Sequence, residues 1–384
     1  MDNLTVGSII DRFEKVSEKK KRAGLLLLVI IVLSALSSII IYSYINRERT
    51  QPHQPIIESQ ELLDLAAKSQ PNPDIYASSF IMPDDPLFTG IYALQLRKRK
   101  VAAEALAPLA AKGNIEAMYW LGFTTLGLNI LSSDAPSLIE RSAKLGNPYA
   151  MRKLIPAGIT LRDCEWYLEQ YCNDLWAEKA QRSFEERVNN NPKDVRARYA
   201  ASKELNRVVE AAKSKYYAPM VEQISVYLNS FERRQAPSEE DSQKLVSLLT
   251  MAANDNFVPA MRMLASVFNN EIGYEKAIFW SEKAMGLGSN STVSIYFRNK
   301  ELFDESLDRR YLLNSLPAAY VSKEYFGDEA FLFFIENDAV RINEPITDNE
   351  KVEAKKMAGD IVEGMKPVVY IDEIFDIDTY GRGM

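Results

Sequence analysis

The stretch AAKGNIEAMYWLG, from Ala110 to Gly122, ends one helical pattern and begins another with almost nothing between them. Small residues run into Lys112, Gly113 and Asn114, and an apolar, aromatic run follows at once. Glycine and asparagine tolerate the left-handed backbone conformation in which helices commonly end. The stretch therefore predicts two antiparallel helices joined by a tight turn.

The same pattern returns twice along the chain. AKLGNPYAMRKL (143–154) and ANDNFVPAMRML (253–264) both align with AAKGNIEAMYWL (110–121). Their Ala-Met pairs are 33 and 110 residues apart, and the longer step equals about three steps of 36 to 37 residues. A fixed period of this length is typical of a solenoid, in which one helical unit stacks on the next.

A further unit belongs to the alignment, because Ala277 stands 11 residues before Gly288 as Ala102 does before Gly113. The alignment assigns two kinds of structural position. Predicted turn residues lie just past a helix end: Gly113, Gly146, Asn256 and Gly288. Predicted packing residues lie on the paired helices: Ala117, Ala150, Ala260, Leu121, Leu154, Leu264 and Trp280. Small residues among them allow two helices to approach closely.

Three short motifs within these copies resemble the Sel-one-like repeat, a relative of the tetratricopeptide repeat. They are Ala-x-x-Trp-x-x-Lys-Ala at 277–284, Gly-x-x-x-Ala at 113–117 and 146–150, and Leu121-Gly122. The chain departs from the pattern at Thr292, where the other copies have alanine. The resemblance implies an all-α fold, an α-solenoid of antiparallel helix pairs, and a concave groove that binds proteins or peptides. It does not imply catalysis.

An uncharged apolar run of 22 residues, Gly24 to Ile45, comes before the repeats. A run of this length can span a bilayer as a single transmembrane helix. Six basic residues precede the run and only two closely follow it. The positive-inside rule then predicts a cytoplasmic N-terminus and an extracytoplasmic repeat domain, which in a bacterium lies in the periplasm.

These patterns divide the chain into five predicted parts. They are a cytoplasmic segment (1–23), the transmembrane helix (24–45), a proline-rich stalk (46–85), the repeat domain (86–365) and an acidic C-terminal tail (366–384). Proline density favours an extended spacer for the stalk. For the tail, which contains Asp372, Glu373, Asp376 and Asp378, a solvated segment is favoured over a short extended segment that packs on the last repeat.

Cys164 and Cys172 are the only cysteines in the chain. In one continuous helix their Cα atoms would lie about 12 Å apart, too far for a disulfide. A break in the helix would permit a bridge, and some cysteine-rich members of the resembled family join their repeats at this spacing. A disulfide and two buried free thiols both remain open.

Composition and charge exclude several classes of function. The net charge of −7 is opposite to that of typical nucleic-acid-binding proteins. His53 is the only histidine, which removes histidine-dependent triads and most zinc sites. We therefore predict a non-catalytic scaffold that binds protein partners and needs no cofactor or metal. The alternatives are a carboxylate-dependent hydrolase of a cell-wall polymer and a purely structural tether.

Overall fold

The computed structural model describes residues 59–126, 134–157, 161–202, 206–231 and 237–376. The predicted cytoplasmic segment and transmembrane helix, 1–45, lie outside these residues. The chain divides into two units, 1–55 and 56–384, and the second contains all the described residues. Within those residues, no helix has both the length and the apolar character needed to cross a bilayer.

Every regular element in the described residues is helical, and no strand is found among them. The α-helices are α1 (Gln60–Ala67), α2 (Phe88–Gln95), α3 (Arg99–Ala111), α4 (Ile115–Thr125), α5 (Ala135–Lys144), α6 (Pro148–Lys153), α7 (Leu161–Trp166), α8 (Leu175–Asn190), α9 (Val195–Ala201), α10 (Arg207–Lys213), α11 (Ala218–Phe231), α12 (Glu239–Asn254), α13 (Val258–Ser266), α14 (Asn269–Ile272), α15 (Tyr274–Gly286), α16 (Thr292–Ser306), α17 (Arg310–Val321), α18 (Ala330–Arg341) and α19 (Asp348–Gly364). A π-helical turn, Ser322–Phe326, extends α17. The expected all-α fold class is confirmed for the described residues.

Consecutive helices pack against one another along the chain. The pairs α3/α4, α5/α6, α12/α13 and α15/α16 are each joined by a short turn and packed together, as expected of antiparallel neighbours. The second helix of a pair also contacts the first helix of the next pair, as α4 does with α5 and α13 with α15. The domain is therefore a stack of helix pairs.

The predicted turn residues all have left-handed backbone conformations. The φ angles are 92° at Gly113, 100° at Gly146, 61° at Asn256 and 81° at Gly288. At each of these positions the chain leaves one helix within a few residues of the start of the next. A residue that tolerates positive φ is therefore needed at each corner.

An asparagine begins the second helix of the first two pairs. The Asn114 side chain accepts a hydrogen bond from the Ala117 backbone N–H at 2.7 Å. The Asn147 side chain accepts hydrogen bonds from the N–H groups of Tyr149 and Ala150. Such caps satisfy N–H groups that have no partner within the helix. The Gly-Asn doublet thus ends one helix and caps the next.

The predicted packing residues are buried between the helices. Their exposed fractions range from 0% to 8%: Ala117, Ala150, Ala260, Leu121, Leu154, Leu264 and Trp280. Thr292, which departs from the repeat pattern, is also fully buried. Its hydroxyl donates to the Ala318 carbonyl at 3.0 Å, so the polar substitution carries its own hydrogen bond.

The domain has two apolar cores. The first runs from Leu62 through Leu287 and also includes residues between Val368 and Phe375. The second is built from residues 285–358, with its buried side chains on α15 to α19 or in the loop before α19. The chain thus completes the second core and then returns to the first.

Residues 59–85 pack on the domain, although the proline content predicts a spacer. Helix α1 lies against α10 and α12 and buries Leu62 completely. The Asn256 amide donates to the carbonyls of Asn72 and Asp74 at 3.0 Å and 2.8 Å. The predicted stalk is therefore wrong for these residues. Prolines exclude long helices, but they leave carbonyl groups free to accept hydrogen bonds from a neighbouring turn.

Candidate interaction surfaces

Residues 366–376 form an extended segment, here called the strap, that crosses the first core. The N–H groups of Lys366 and Val368 donate to the carbonyls of Gly286 and Leu287 at 2.8 Å and 3.1 Å. The segment then passes over the end of α2. The strap therefore starts beside the α15/α16 turn and reaches the earliest repeats.

Gln95 binds the main chain of the strap through both ends of its side-chain amide. Its Nε2 donates to the Val368 carbonyl at 3.0 Å, and its Oε1 accepts from the Tyr370 N–H at 2.8 Å. The Ser79 hydroxyl donates to the Val369 carbonyl at 2.9 Å. A side-chain amide carries both a donor and an acceptor, so it can bind a carbonyl and an N–H group of the same main chain, as a neighbouring β-strand would. The buried Gln95 thus provides hydrogen-bond partners for main-chain groups of a segment that is not part of a β-sheet.

The apolar side chains of the strap fill the first core. Val368, Val369, Ile371 and Phe375 are each at most 3% exposed. The Phe375 ring packs against Tyr199 and Tyr216, with centroid distances of 5.7 Å and 5.8 Å. Burial of this kind contributes the main favourable free energy of folding.

Asp372 closes the turn at the far end of the strap. Its carboxylate accepts hydrogen bonds from the N–H groups of Ile374 and Phe375, both at 2.8 Å, and from the Tyr216 hydroxyl at 3.0 Å. Burial raises the pKa of Asp372 to about 6, and the neighbouring Arg196 opposes this shift. The carboxyl group is therefore held in a site that disfavours its charge.

Glu373 pairs with Arg196, which lies on α9. The Glu373 Oε2 and Arg196 Nη1 atoms are 2.9 Å apart, and both side chains are largely buried. The Arg196 guanidinium also lies over the Phe80 ring, 5.0 Å from its centroid. Burial alone would lower the pKa of Arg196, but Glu373, Tyr149, Asp372 and Asp194 together outweigh this effect and raise the pKa.

The prediction that the acidic tail is solvated is therefore wrong for its described residues. Asp372 is 3% exposed, and the Glu373 side chain is 6% exposed. Their charges have specific partners in Tyr216 and Arg196. The alternative of a packed extended segment comes closer, but the strap lies on early repeats as well as beside a late turn. Residues 377–384 lie outside the described residues.

A second surface, here called the open groove, lies between α15, α16, α17 and α19. It has a volume of about 420 Å³ and is open to solvent. Apolar side chains from all four helices line it: Ile278, Ile295, Leu313, Leu316 and Met357. No residue of the strap lines this groove.

A hydrogen-bonded chain fixes the polar part of the open groove. The Tyr274 hydroxyl donates to Asn299 Oδ1 at 2.9 Å. The buried Asn299 amide in turn donates to the Ile295 carbonyl at 2.9 Å. These partners hold the groove wall in one arrangement.

No family model matches the chain, and the comparison with curated proteins finds no match. Among solved structures, the chain is similar to c5321, a protective antigen present in uropathogenic Escherichia coli strains and displaying an SLR fold. The sequence identity is 16%, the TM-score is 0.35, and the match covers 77% of this chain and 62% of the antigen. The chain thus spans less than two thirds of that protein's length.

Cys164 and Cys172 are joined by a disulfide, with Cα atoms 5.8 Å apart. Helix α7 ends at Trp166, so the two cysteines do not share a continuous helix. A turn follows, in which the N–H groups of Tyr167 and Leu168 both donate to the Asp163 carbonyl at 2.9 Å. The break in the helix is what brings the two sulfur atoms together.

The carboxyl groups of the open groove are in unlike environments. Burial raises the pKa of Glu282 on α15. The pKa of Glu350 on α19 is held at about 2, mainly by its paired hydrogen bonds with Arg309. Within the described residues, no group of three His, Cys, Asp or Glu side chains is placed to hold a metal ion. The surface that the groove offers is an apolar binding surface with an acidic rim.

Sequence reasoning did not find the residues that matter most at these two surfaces. Gln95 and Arg196 bind a segment about 275 and 177 residues away in the chain. Most groove-lining side chains come from α16, α17 and α19, in which no repeat motif was identified, whereas Ile278 and Glu282 lie within the motif at 277–284.

Proposed function

We propose that the chain is a non-catalytic, membrane-anchored scaffold whose extracytoplasmic helical domain binds protein partners in an envelope-associated complex. The observation that carries this proposal is the open groove between α15, α16, α17 and α19. It combines an apolar lining with a fixed polar network, as sites for partner segments do.

The position of the strap is the reason why the open groove is the proposed partner site. Gln95, Ser79, Tyr216 and Arg196 are all engaged by residues 366–376, so the surface over the first core is filled by the chain itself. Among the described residues, only the four helices themselves line the groove on the second core. A partner would bind there without first displacing eleven residues of the protein.

The anchor is proposed from Gly24 to Ile45, which lies close to the described domain in sequence. Thirteen residues, 46–58, separate it from the first described residue. Even fully extended, they would reach only about 45 Å. A partner held in the groove would therefore be tethered to the membrane through this short connection.

Two substitutions on α19 test the scaffold proposal. Met357 lines the groove and is 49% exposed, whereas Val352 lies on the same helix outside the groove and is 67% exposed. We expect Met357→Glu to lose the proteins that co-purify with the detergent-solubilised full chain. Val352→Glu should retain them. If Met357→Glu retains the same set, the groove is not the partner site.

Deletion of residues 24–45 tests the anchor separately. The full chain should sediment with membranes after an alkaline wash, and the deletion variant should not. Protease added to intact spheroplasts should digest the helical domain of the full chain. If the domain is protected until the membrane is lysed, the proposed topology is wrong.

A further inference from the structure

We propose that the open groove binds a short partner segment that places a lysine or arginine close to a large aliphatic side chain. This inference rests on the proposed function, because it names the kind of partner that the scaffold would hold. It combines the groove's apolar lining with its charge.

The charge of the groove lining is of one sign. Glu282, Glu350 and Glu353 line it, and no lysine or arginine does. Glu350 is already neutralised, since Arg309 binds both of its oxygens at 2.6 Å. Glu282 and Glu353 form no ion pair with any described residue, so two carboxylates on the groove wall are left for a cation from outside.

The two carboxylates come from two packed helices, and each lies one turn from an apolar lining residue. On α15, Ile278 and Glu282 are four residues apart, and on α19, Glu353 and Met357 have the same spacing. Residues at this spacing share one face of a helix. Helix α15 contacts α19. Each wall therefore presents an apolar contact and an anionic contact together.

The surroundings of Glu282 favour a cationic partner. Burial raises the pKa of its carboxyl group, which means that the charged form is incompletely solvated. A lysine or arginine brought in by a ligand would restore favourable electrostatics at that position. Glu282 and Glu353 are both exposed residues, so such a pair would remain accessible to solvent and sensitive to salt.

The size of the groove sets the size of the occupant. A volume of about 420 Å³ lies within the roughly 300–1,000 Å³ range of ligand sites. It suits a few side chains of a peptide better than a whole folded domain. The apolar lining would take the aliphatic side chain, and the carboxylates would take the cation.

A display library of random 12-residue peptides tests the proposal on the immobilised full chain. We expect enrichment of sequences with Lys or Arg near Leu, Ile or Met. The Kd of the best peptide should rise on the order of tenfold in the Glu282→Gln, Glu353→Gln double variant. Added salt should also raise the Kd of this peptide for the wild-type protein.

A matched double variant controls for the change in net charge and for substitution on these two helices. Glu275 and Glu363 lie on α15 and α19, are exposed, and do not line the groove. Glu275→Gln with Glu363→Gln changes the net charge by the same amount, and should leave the Kd unchanged. An equal loss in both double variants would overturn the proposal, because the effect would then be long-range.

The remaining outcomes separate this inference from the proposed function. If peptides are enriched and lose binding in Met357→Glu but not in the Glu282→Gln, Glu353→Gln variant, the scaffold stands and the basic partner is wrong. If enriched peptides are acidic or uncharged, the basic partner is wrong as well. If the peptides bind Met357→Glu normally, or none is enriched, both proposals fail. If the wild type dimerises and Met357→Glu does not, the occupant is a second copy of the chain, which overturns the inference.

Discussion

Single glycines have two different roles in this domain. Gly113, Gly146 and Gly288 supply positive φ angles at helix corners. Gly122 instead lies inside α4, where a Cβ atom would be only 2.7 Å from Ile139 Cγ1 and 3.0 Å from the Ala135 carbonyl oxygen. The absence of a side chain thus sets the distance between α4 and α5.

Alanine at Gly122 should separate these two helices. Because the Ala135 contact is to backbone, it cannot be relieved by a side-chain rotation, and we expect Gly122→Ala to lower the free energy of unfolding by about 1–3 kcal/mol. Gly359 provides the control, since it lies inside α19 with nothing within 4 Å of an added Cβ. Gly359→Ala should raise stability by about 0.5–1 kcal/mol. Urea denaturation would measure both, and an unchanged Gly122→Ala would contradict the close approach.

Asp372 predicts a pH dependence of stability. Its pKa is raised from 3.8 to about 6 in the folded protein, so folding favours its protonated form. Its contribution is fully present below about pH 4 and is lost as the pH rises through 6. The loss amounts to about 3 kcal/mol.

Asp372→Asn is the test of this pH dependence. Asparagine keeps an oxygen that can accept from the Ile374 and Phe375 N–H groups, but it does not ionise. The stability of the variant relative to the wild type should therefore improve by about 2.5 kcal/mol between pH 4 and pH 7.5. Chemical denaturation at both pH values would show it. A difference that stays constant with pH would contradict a buried, shifted carboxyl group.

Residue-scale features were predictable from sequence where they depend on neighbouring residues alone. The positive φ angles at Gly113 and Asn256 follow from local helix-ending chemistry, and the sequence pattern was enough to locate them. The burial of Asp372 was not predictable, because acidic residues are exposed to solvent in most proteins. Its partner Tyr216 is 156 residues away in sequence.

At the scale of elements, the disulfide joins two residues that lie on either side of a helix end. Helix α7 has only six residues, and the bridge from Cys164 to Cys172 closes the turn that follows it. A short helix has little intrinsic stability of its own. The covalent link limits the conformations that this corner can adopt when it unfolds.

Reduction of the disulfide should lower the free energy of unfolding by about 2.5 kcal/mol, the chain-entropy value for a loop this short. Denaturation with and without dithiothreitol measures the change. A Cys164→Ala, Cys172→Ala double variant should show no effect of the reductant. If dithiothreitol changes the wild type no more than this variant, the bridge contributes nothing to stability.

Element-scale prediction failed where tertiary contacts override composition. Prolines between 71 and 86 correctly exclude long helices there, but they do not decide whether the segment is free or packed. Asn256 decides it, since the same residue that turns the chain between α12 and α13 also binds the carbonyls of Asn72 and Asp74. A side chain with two such functions is not visible in a repeat pattern.

For the whole molecule, the strap links two cores that otherwise follow each other along the chain. Its side chains belong to the first core, while its start is bonded to the α15/α16 turn. The periodicity of the sequence describes contacts between neighbouring units. The strap is a contact between distant ones, so it could not be predicted in this way.

Phe375→Ala should destabilise the first core from a position near the end of the described chain. The ring is 2% exposed and packs on Tyr199 and Tyr216, so we expect a cost of about 3–5 kcal/mol. Amide hydrogen exchange should accelerate in α2 to α4 more than in α17 to α19. Phe333, which is 63% exposed, supplies the control, and Phe333→Ala should change little. Equal acceleration in both cores would contradict the assignment of the strap to the first.

The strap also fixes when the first core can be finished during synthesis. Gln95 leaves the ribosome 275 residues before Tyr370, the residue whose main chain it binds. The early helices therefore lack the contacts of the strap until the residues of the second core have been synthesised. A product interrupted before Lys366 would keep that apolar surface open to proteases and chaperones, so completion of the strap distinguishes a finished domain from a fragment.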